Sequence, residues 1–185
     1  MGTLALEPAL SRLDLLAHPV AAALQGDPAL ADRVQVASID ASLADTAAFC
    51  EAYGIGLDVS ANCVIVAGRR GEVTRYAACM VLATTRLDVN GVVRQLLDAR
   101  KASFAPMDDA VALSGMEYGG ITPVGIPEDW ALFVDSRIPA LAEVIIGAGI
   151  RAAKILLPGA ALAGLPGAQV IEGLAKEIAQ DPSAA

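Results

Sequence analysis

The sequence is poor in the side chains that most often carry catalysis or bind metals. It has one histidine, three cysteines and few aromatic residues, which make up 4% of its 185 residues. Without a second histidine or paired cysteines, a zinc site is not expected. A Ser–His or Cys–His catalytic pair is poorly supported, because His18 precedes a proline in an N-terminal segment predicted to be helical. We expect His18 to be a surface or packing residue, and the core to consist of Ala, Val, Leu and Ile.

Several further absences restrict the class of protein. Cys50, Cys63 and Cys79 form no C-x-x-C pair, which favours free thiols in a reducing cytoplasm. The longest uncharged apolar stretch, Ile155–Ile171, is interrupted by prolines and glycines, and the N-terminus shows no secretory pattern. A G-x-x-x-x-G-K-[ST] loop is also absent, so no P-loop is expected. These features predict a cytoplasmic protein without a membrane partner.

Charge is distributed unevenly along the chain. The net charge is −8, which argues against nucleic-acid binding over the whole surface and against DNA as a partner. The segment from Ser60 to Ala105 nevertheless carries +4 and the remainder −12. A local basic patch is therefore one interpretation, and ordinary solvated charges are the other. Arg69 and Arg70 are expected to be exposed under either interpretation.

Hydrophobic periodicity and turn signals predict one mixed α/β domain without a regular βαβ alternation. A first helix is predicted to open at Glu7-Pro8, interrupted or bent at His18-Pro19. The Ser42–Asp45 capping box predicts a helix that ends at Gly54. Further helices are predicted at 88–98, capped by Asp88, at 108–115, capped by Asp108, after Pro158 and at the C-terminus, followed by a disordered tail, 180–185. Strands are predicted at 34–39, 63–67, 73–83, 101–105, 132–134, 144–146, 155–157 and 169–171, with a hairpin connection at 68–71.

The segment Gly147–Ala152 follows a predicted strand and fits the G-x-G-x-x-A dinucleotide fingerprint. That fingerprint opens a long helix, but Pro158 would stop a helix begun at Ile150 after about two turns. A tight turn between two strands is the preferred interpretation. A nucleotide-dependent enzyme stays open as an alternative.

The segment Gly115–Pro127 contains four glycines and two prolines. It predicts a stiff loop with unusual backbone angles that a ligand can approach closely. Together with four other blocks in the same order, Ser114–Gly125 resembles the YbaK/EbsC-like, prolyl-tRNA-synthetase-associated family of aminoacyl-tRNA editing domains. The other blocks are Ala61–Val66, Leu87–Asn90, Val134-Asp135 and Gly147–Arg151.

The resemblance implies a mixed, barrel-like sheet with surrounding short helices in a single domain, 1–185. Its core would span about 36–171, after a helical N-terminal extension, 1–35. It implies a trans-editing deacylase that hydrolyses mischarged aminoacyl-tRNA without a cofactor or metal. Its partners would be the acceptor end of the tRNA and an aminoacyl-tRNA synthetase. Catalysis is assigned by resemblance to Gly119, Gly120 and Asn62, and substrate binding to Ile121, Thr122, Pro123, Gly125, Asp135, Gly147, Gly149 and Arg151. Tyr118 is a further candidate for the pocket.

The family pattern usually has a lysine where this sequence has Asn62. An asparagine can hydrogen-bond but lacks the charge that holds a phosphate. Either another base, such as Arg69, Arg75 or Arg151, reaches inward, or tRNA affinity is reduced, or the pocket serves another ligand. The alternative function is therefore a catalytically weakened module that binds aminoacyl-tRNA or a small ligand.

Overall fold

The computed structural model describes residues 2–178. Within them the strands form three sheets surrounded by short helices, and the prediction of a mixed α/β domain is confirmed. The strands are β1 (Glu7–Pro8), β2 (Gln35–Ser38), β3 (Ala61–Arg70), β4 (Val73–Leu82), β5 (Thr85–Leu87), β6 (Lys101–Phe104), β7 (Ala131–Asp135), β8 (Val144–Gly147), β9 (Ala153–Leu157), β10 (Ala168–Ile171) and β11 (Ala175–Glu177). The α-helices are α1 (His18–Gly26), α2 (Pro28–Ala31), α3 (Thr46–Tyr53), α4 (Arg94–Leu96), α5 (Met107–Ser114) and α6 (Gly159–Ala163). A π-helical turn, Val89–Val93, precedes α4, and 3₁₀ turns lie at Ala9–Ser11, Leu13–Leu15, Ala41–Leu43, Leu57–Val59 and Ile138–Ala140.

The largest sheet has the order β10-β7-β4-β3-β6, and β4 lies at its centre as predicted. Successive side chains of a strand point to opposite faces, and both faces of β4 are buried. Ala78 and Met80 pack in the main core, whereas Ala77 and Cys79 pack in a second cluster on the other face. The predicted connection at 68–71 is wrong in its bounds, because β3 continues to Arg70 and the turn is formed by residues 71 and 72.

A four-stranded sheet of order β1-β2-β9-β8 lies beside the largest sheet. A parallel bridge between Ser60 and Ile145 joins them just before β3. The segment Gly147–Ala152 turns directly from β8 into antiparallel β9, with Gly147 opposite Lys154. The preferred interpretation, a strand-to-strand turn, is confirmed. A helix N-terminus for a pyrophosphate is missing from this turn, so the nucleotide-dependent alternative is rejected.

The N-terminal segment contributes to the main core. Ala9, Leu15, Val20 and Leu24 are buried in it beside residues of both large sheets. β1 also pairs with β2. Burial of each large aliphatic side chain stabilises the fold by about 1.5–3 kcal/mol. The core is built largely from aliphatic side chains, as the sequence predicts.

Two predicted helices are wrong where the structure describes them. Residues Glu7–Pro8 form a strand rather than a helix start, and Pro19 lies in the first turn of α1 instead of interrupting a helix. Proline suits that position because its missing N–H would have no partner there. The predicted C-terminal helix is replaced by β11, which pairs with β5. The predicted tail, 180–185, lies outside the described residues. Across residues 2–178, every helix is too short or too polar to cross a membrane.

The capping predictions give a mixed result. Gly54 ends α3 in the left-handed conformation and Asp88 caps the π-helical turn, both as predicted. The cap of α3, however, is Asp45, whose carboxylate accepts hydrogen bonds from the N–H groups of residues 47 and 48. Ser42 lies instead in a separate 3₁₀ turn. Asp108 lies inside the first turn of α5 rather than at its cap.

Candidate functional site

The glycine-rich loop packs backbone to backbone against the turn between β8 and β9. The N–H of Gly149 donates to the carbonyl of Gly120 at 2.7 Å, and the N–H of Glu117 donates to the carbonyl of Gly149 at 2.8 Å. A Cβ on Gly120 would lie 2.5 Å from the carbonyl carbon of Ile150, and one on Gly147 would lie 2.3 Å from the Gly120 oxygen. The contact therefore requires glycine at both positions.

A cavity of about 510 Å³ lies between this loop, β3 and the start of α3. That volume is within the range of small-molecule sites. It brings together five of the predicted site residues, from three separate parts of the chain. They are Asn62, Gly119, Ile121, Gly147 and Arg151, and Tyr118 lines the cavity beside them.

The other predicted site residues lie outside this lining. Gly120 and Gly149 hold the loop against the β8–β9 turn, as described above. Gly125 has a φ of +79°, and a Cβ there would lie 2.3 Å from the Pro19 oxygen. Thr122 and Pro123 are buried, and among residues 2–178 the Thr122 hydroxyl has no hydrogen-bond partner.

Asp135 is not part of the cavity lining and forms an ion pair with Arg137. The Arg137 guanidinium donates from Nε and Nη2 to the two carboxylate oxygens at 2.7 and 2.8 Å. It also donates to the carbonyl of Ala175, which ties β7 to β11. Burial opposes ionisation of Asp135, but the hydrogen bonds from Arg137 outweigh it, so the pKa of this carboxyl lies below its usual value.

Asn62 lies on β3 in the wall of the cavity. Its amide oxygen accepts a hydrogen bond of 2.6 Å from the Thr46 hydroxyl, at the first residue of α3. Thr46 also lines the cavity. This contact leaves the amide N–H₂ of Asn62 as the group that can donate to a ligand.

Lys154 brings a positive charge to the same cavity. It is only 8% exposed. Its ammonium donates to the carbonyl of Ala44 at 3.2 Å and lies 5.1 Å from the centre of the Phe49 ring. Within residues 2–178 no carboxylate lies within 4.0 Å of it. Burial lowers the pKa of Lys154.

The sequence contained a signal for Lys154 that the predictions did not use. It is a lone charge within the apolar run Ala152–Leu157, and charged side chains are rarely buried without a specific reason. Leu156, two residues along β9, packs under α3 in a third apolar cluster with Phe49. Side chains two residues apart share one face of a strand, which explains why Lys154 also meets Phe49.

Of the three arginines considered as replacements for the family lysine, Arg151 lines the cavity. Its guanidinium donates to the carbonyls of Tyr118 and Ala41, at 3.2 and 3.1 Å. It therefore joins the glycine-rich loop to the segment before α3. Arg75 instead donates to the carbonyl of Leu97, and Arg69 lines a different cavity.

The cavity also contains one carboxylate and one thiol that the predictions missed. Asp45 lines it through the cap of α3, and Cys63 lines it from β3. Burial raises the pKa of Cys63 to about 12, so this thiol is protonated at neutral pH and is a poor nucleophile. His18 is exposed at the start of α1 and lies outside the lining. The lining thus carries two cations and one anion but no activated nucleophile.

The structure defines a mixed α/β domain with a cavity whose walls are built from backbone as much as from side chains. The chain belongs to the aminoacyl-tRNA editing domain family, whose sequence model matches residues 40–165. The resemblance carried by the glycine-rich loop is thereby confirmed.

Solved structures with low sequence identity share the fold. One, described as a candidate trans-editing enzyme for prolyl-tRNA synthetase, has a TM-score of 0.72 at 23% identity, over 88% of this chain and 97% of that one. A scaffold from a study of epitope grafting has a TM-score of 0.72 at 24% identity, with the same coverages. A protein described as hypothetical has a TM-score of 0.71 at 19% identity, over 82% of this chain and 97% of that one. No curated protein matches the sequence.

Proposed function

We propose that this protein hydrolyses the ester of mischarged aminoacyl-tRNA and acts in trans. The observation that carries the proposal is the meeting of the glycine-rich loop, Asn62 and Lys154 in one cavity of an editing-domain fold. The acceptor end of the tRNA would enter this cavity with its aminoacyl group. A synthetase partner remains a prediction from the family resemblance, and a cytoplasmic location remains a prediction from the cysteine pattern of the sequence.

Ester hydrolysis suits a cavity without a side-chain nucleophile. A water molecule attacks the ester carbonyl carbon, the bond to the ribose oxygen breaks, and the products are a free amino acid and the terminal hydroxyl of the tRNA. The ester is already activated, so orientation and oxyanion stabilisation can supply much of the rate. The resemblance likewise implies a bound water and the terminal tRNA hydroxyl as the reacting groups.

Backbone donors for the oxyanion are available in the glycine-rich loop. Gly119 and Ile121 both line the cavity, and their N–H groups donate to no other group among residues 2–178. We assign them to the developing oxyanion. Removal of one such donor costs roughly 10²–10³ in kcat in other hydrolases.

The charged side chains suit the two ends of the substrate. Lys154 is assigned to the negative charge of the terminal nucleotide or of the oxyanion, because a cation in a dry site interacts more strongly than one in water. Asp45 is assigned to the α-ammonium of the amino acid. Asn62 would donate from its amide nitrogen, since its oxygen is bound by Thr46.

A panel of mischarged tRNAs tests the proposal. Release of the amino acid is measured with the wild-type protein, with Lys154→Met purified in the same way, and without protein. We expect the wild type to release at least one wrong amino acid faster than its correctly charged counterpart, and the variant to be slower. No release above the uncatalysed rate for any pair would reject the proposal.

A non-catalytic binding module is the second candidate, favoured by the neutral side chain of Asn62. It predicts tRNA or ligand binding without release of amino acid from any pair. The buried amine of Lys154 argues for the enzyme, because it supplies the charge whose loss motivated the second candidate.

A further inference from the structure

A second cavity, of about 600 Å³, is strongly basic. Four cationic side chains line it, and we call it the basic cavity: Arg69, Arg94, Arg100 and Lys101. Asn90 and Ser103 add uncharged hydrogen-bonding groups, and no carboxylate is among the lining residues. Four of the seven basic residues between Ser60 and Ala105 are therefore gathered at one place.

The four cations are not neutralised by carboxylates in the part of the chain that the structure describes. Among residues 2–178, none of them lies within 4.0 Å of a carboxylate oxygen. The nearby carboxylate of Asp98 is bound instead by Arg70 at 2.7 Å and lies 3.8 Å from Arg75. The basic cavity therefore keeps its charge available for an external anion.

The strand register places two of these unpaired cations side by side. Arg69 lies directly opposite Lys101 in the β3–β6 ladder. Like charges in that position destabilise a sheet. A bound anion between the two side chains would remove the repulsion, which is a reason for such a pair at a binding site.

The basic cavity and the candidate active site meet on strand β6. Ser103 lines the former and Phe104 lines the latter. Side chains two residues apart share one face of a strand, so Phe104 lies on the same face of the edge strand β6 as Ala102, which lines the basic cavity. Lys101 and Ser103 line that cavity from the other face. The Phe104 ring is 65% exposed. An exposed aromatic ring beside a cationic groove is the pattern by which proteins hold single-stranded nucleic acid.

We propose that the basic cavity binds backbone phosphates of RNA whose 3′ end enters the candidate active site, with a base stacked on Phe104. The proposal rests on the proposed function for the identity of that RNA. A surface with net charge −8 repels a polyanion over most of its area. The basic cavity is the place where the backbone can approach, and its position beside Phe104 favours RNA over an acidic protein.

Binding of uncharged tRNA, which requires no chemistry, tests the proposal. Four single-strand phosphate contacts predict a salt slope of about −2.8, so affinity should fall roughly 50-fold between 50 and 200 mM salt. For the double variant Arg100→Gln/Lys101→Gln the fall should be roughly 7-fold. The matched control is Arg33→Gln/Arg86→Gln, which loses the same charge at two exposed arginines outside both cavities and should keep the wild-type slope.

Phe104→Ala separates stacking from charge. It should weaken tRNA binding by roughly 5- to 150-fold and leave the salt slope unchanged. The exposed ring makes a large loss of fold stability unexpected, and a thermal melt checks this.

The outcomes separate this proposal from the proposed function. An unchanged affinity and slope in Arg100→Gln/Lys101→Gln would overturn the basic cavity as an RNA site, even if the wild type deacylates tRNA. A reduced slope in that variant would support it, even if no deacylation is found. If the variant keeps tRNA binding but loses binding of polyglutamate, the occupant is an acidic protein and the proposal is wrong.

Discussion

Replacing Lys154 by methionine is expected to stabilise the fold while it impairs hydrolysis. The ammonium is almost fully buried without a carboxylate in contact among the described residues, and its compensation is one hydrogen bond to Ala44 and the face of Phe49. Such a charge is costly to bury. Because Lys154 destabilises the fold at this position, we explain its presence by a functional role.

The expected gain in stability is modest. Replacement of buried ionic groups by apolar side chains of similar volume can stabilise by about 1–4 kcal/mol. The variant also loses the contact with the Phe49 ring, worth about 0.5–2 kcal/mol, and leaves the Ala44 carbonyl unpaired. Because an unpaired buried carbonyl also costs about 1–3 kcal/mol, we expect a net rise of at most about 1 kcal/mol in the free energy of unfolding, or no more than roughly 2–4 °C in Tm for a chain of this size.

The sign of the pH dependence provides an internal check. Burial lowers the pKa of Lys154 in the folded state, so between that pKa and the unfolded value the unfolded chain binds more protons. The stability contributed at Lys154 therefore increases with pH up to the unfolded pKa, about 10.4. The advantage of Lys154→Met over the wild type should accordingly shrink as the pH is raised towards 10.

The same variant should lose a charge-assisted contact with the substrate. Such a hydrogen bond is worth about 1.5–3 kcal/mol, which corresponds to a fall of roughly 10- to 150-fold in kcat/KM. Placing a lysine at position 62 in this variant, as Asn62→Lys/Lys154→Met, should recover much of the loss, because positions 62 and 154 line one cavity.

Chemical denaturation and deacylation kinetics are measured on the same preparations. Lys176→Met is the matched control, because the same change is made at a side chain that is 76% exposed, and it should alter neither quantity greatly. A large destabilisation of Lys154→Met, with activity lost in proportion to the folded fraction, would refute the argument. If Asn62→Lys/Lys154→Met recovers no activity relative to Lys154→Met, a lysine at position 62 does not replace Lys154 through the shared cavity.

Three further predictions concern residues near or within the predicted site. Thr122→Val should raise the free energy of unfolding by about 1 kcal/mol in denaturant titration, because it removes a buried hydroxyl without a partner in the described structure. Gly120→Ala should lower kcat/KM at least tenfold and lower Tm, because its Cβ would meet the backbone of Ile150 at 2.5 Å; wild-type kinetics would contradict the tight loop contact. Asp135→Asn should destabilise by about 2 kcal/mol at pH 7, since it breaks the ion pair between the buried Asp135 carboxylate and Arg137, whose side chain is 34% exposed. The pKa of Asp135 is lowered in the folded protein. Its ionised carboxylate therefore stabilises the fold fully at pH values above the unfolded pKa of about 3.9. This stabilisation is lost as the pH falls through the folded pKa. The difference between wild type and Asp135→Asn should therefore disappear in acid, whereas KM should be unchanged.

Much of the sheet could be predicted because its signals are local. The central position of β4 follows from apolar residues at successive positions, which bury both faces of the strand. The ends of α3 and α5 follow from Gly54 and Gly115, both in the left-handed conformation. Asp88 caps the turn beside it through a hydrogen bond to the N–H of Gly91. Each of these features depends on residues close together in the chain.

The errors arise where the decisive contact is distant in sequence. Glu7–Pro8 forms a strand because β2 accepts it as a partner, and Ala175–Glu177 forms one because β5 does. Local patterns alone favoured a helix at both places. The same limitation explains Asp135, where the sequence showed a polar residue at a strand end but not the Arg137 fork that occupies it.

The site could be predicted only in part, because some of its contacts also join residues that are distant in sequence. Asn62, the glycine-rich loop and Arg151 could be grouped by their order in a family pattern. Asp45 and Lys154 could not, because their approach to the cavity depends on how α3 covers β9. The bridge between Ser60 and Ile145 brings the two large sheets together, and this junction places a side chain of β9 beside one of β3.

That junction changes how the asparagine at position 62 is interpreted. A cavity wall built from two adjoining strands can receive a cation from either one, because a substrate responds to the charge in the cavity and not to its position in the sequence. A lysine on β9 needs an acceptor and a polarisable surface to be tolerated, and Ala44 and Phe49 of the α3 region provide them. With Lys154 supplying the cation, Asn62 is free to hold the Thr46 hydroxyl. The loss of a lysine at position 62 is therefore not a loss of the positive charge on which the proposed hydrolysis depends.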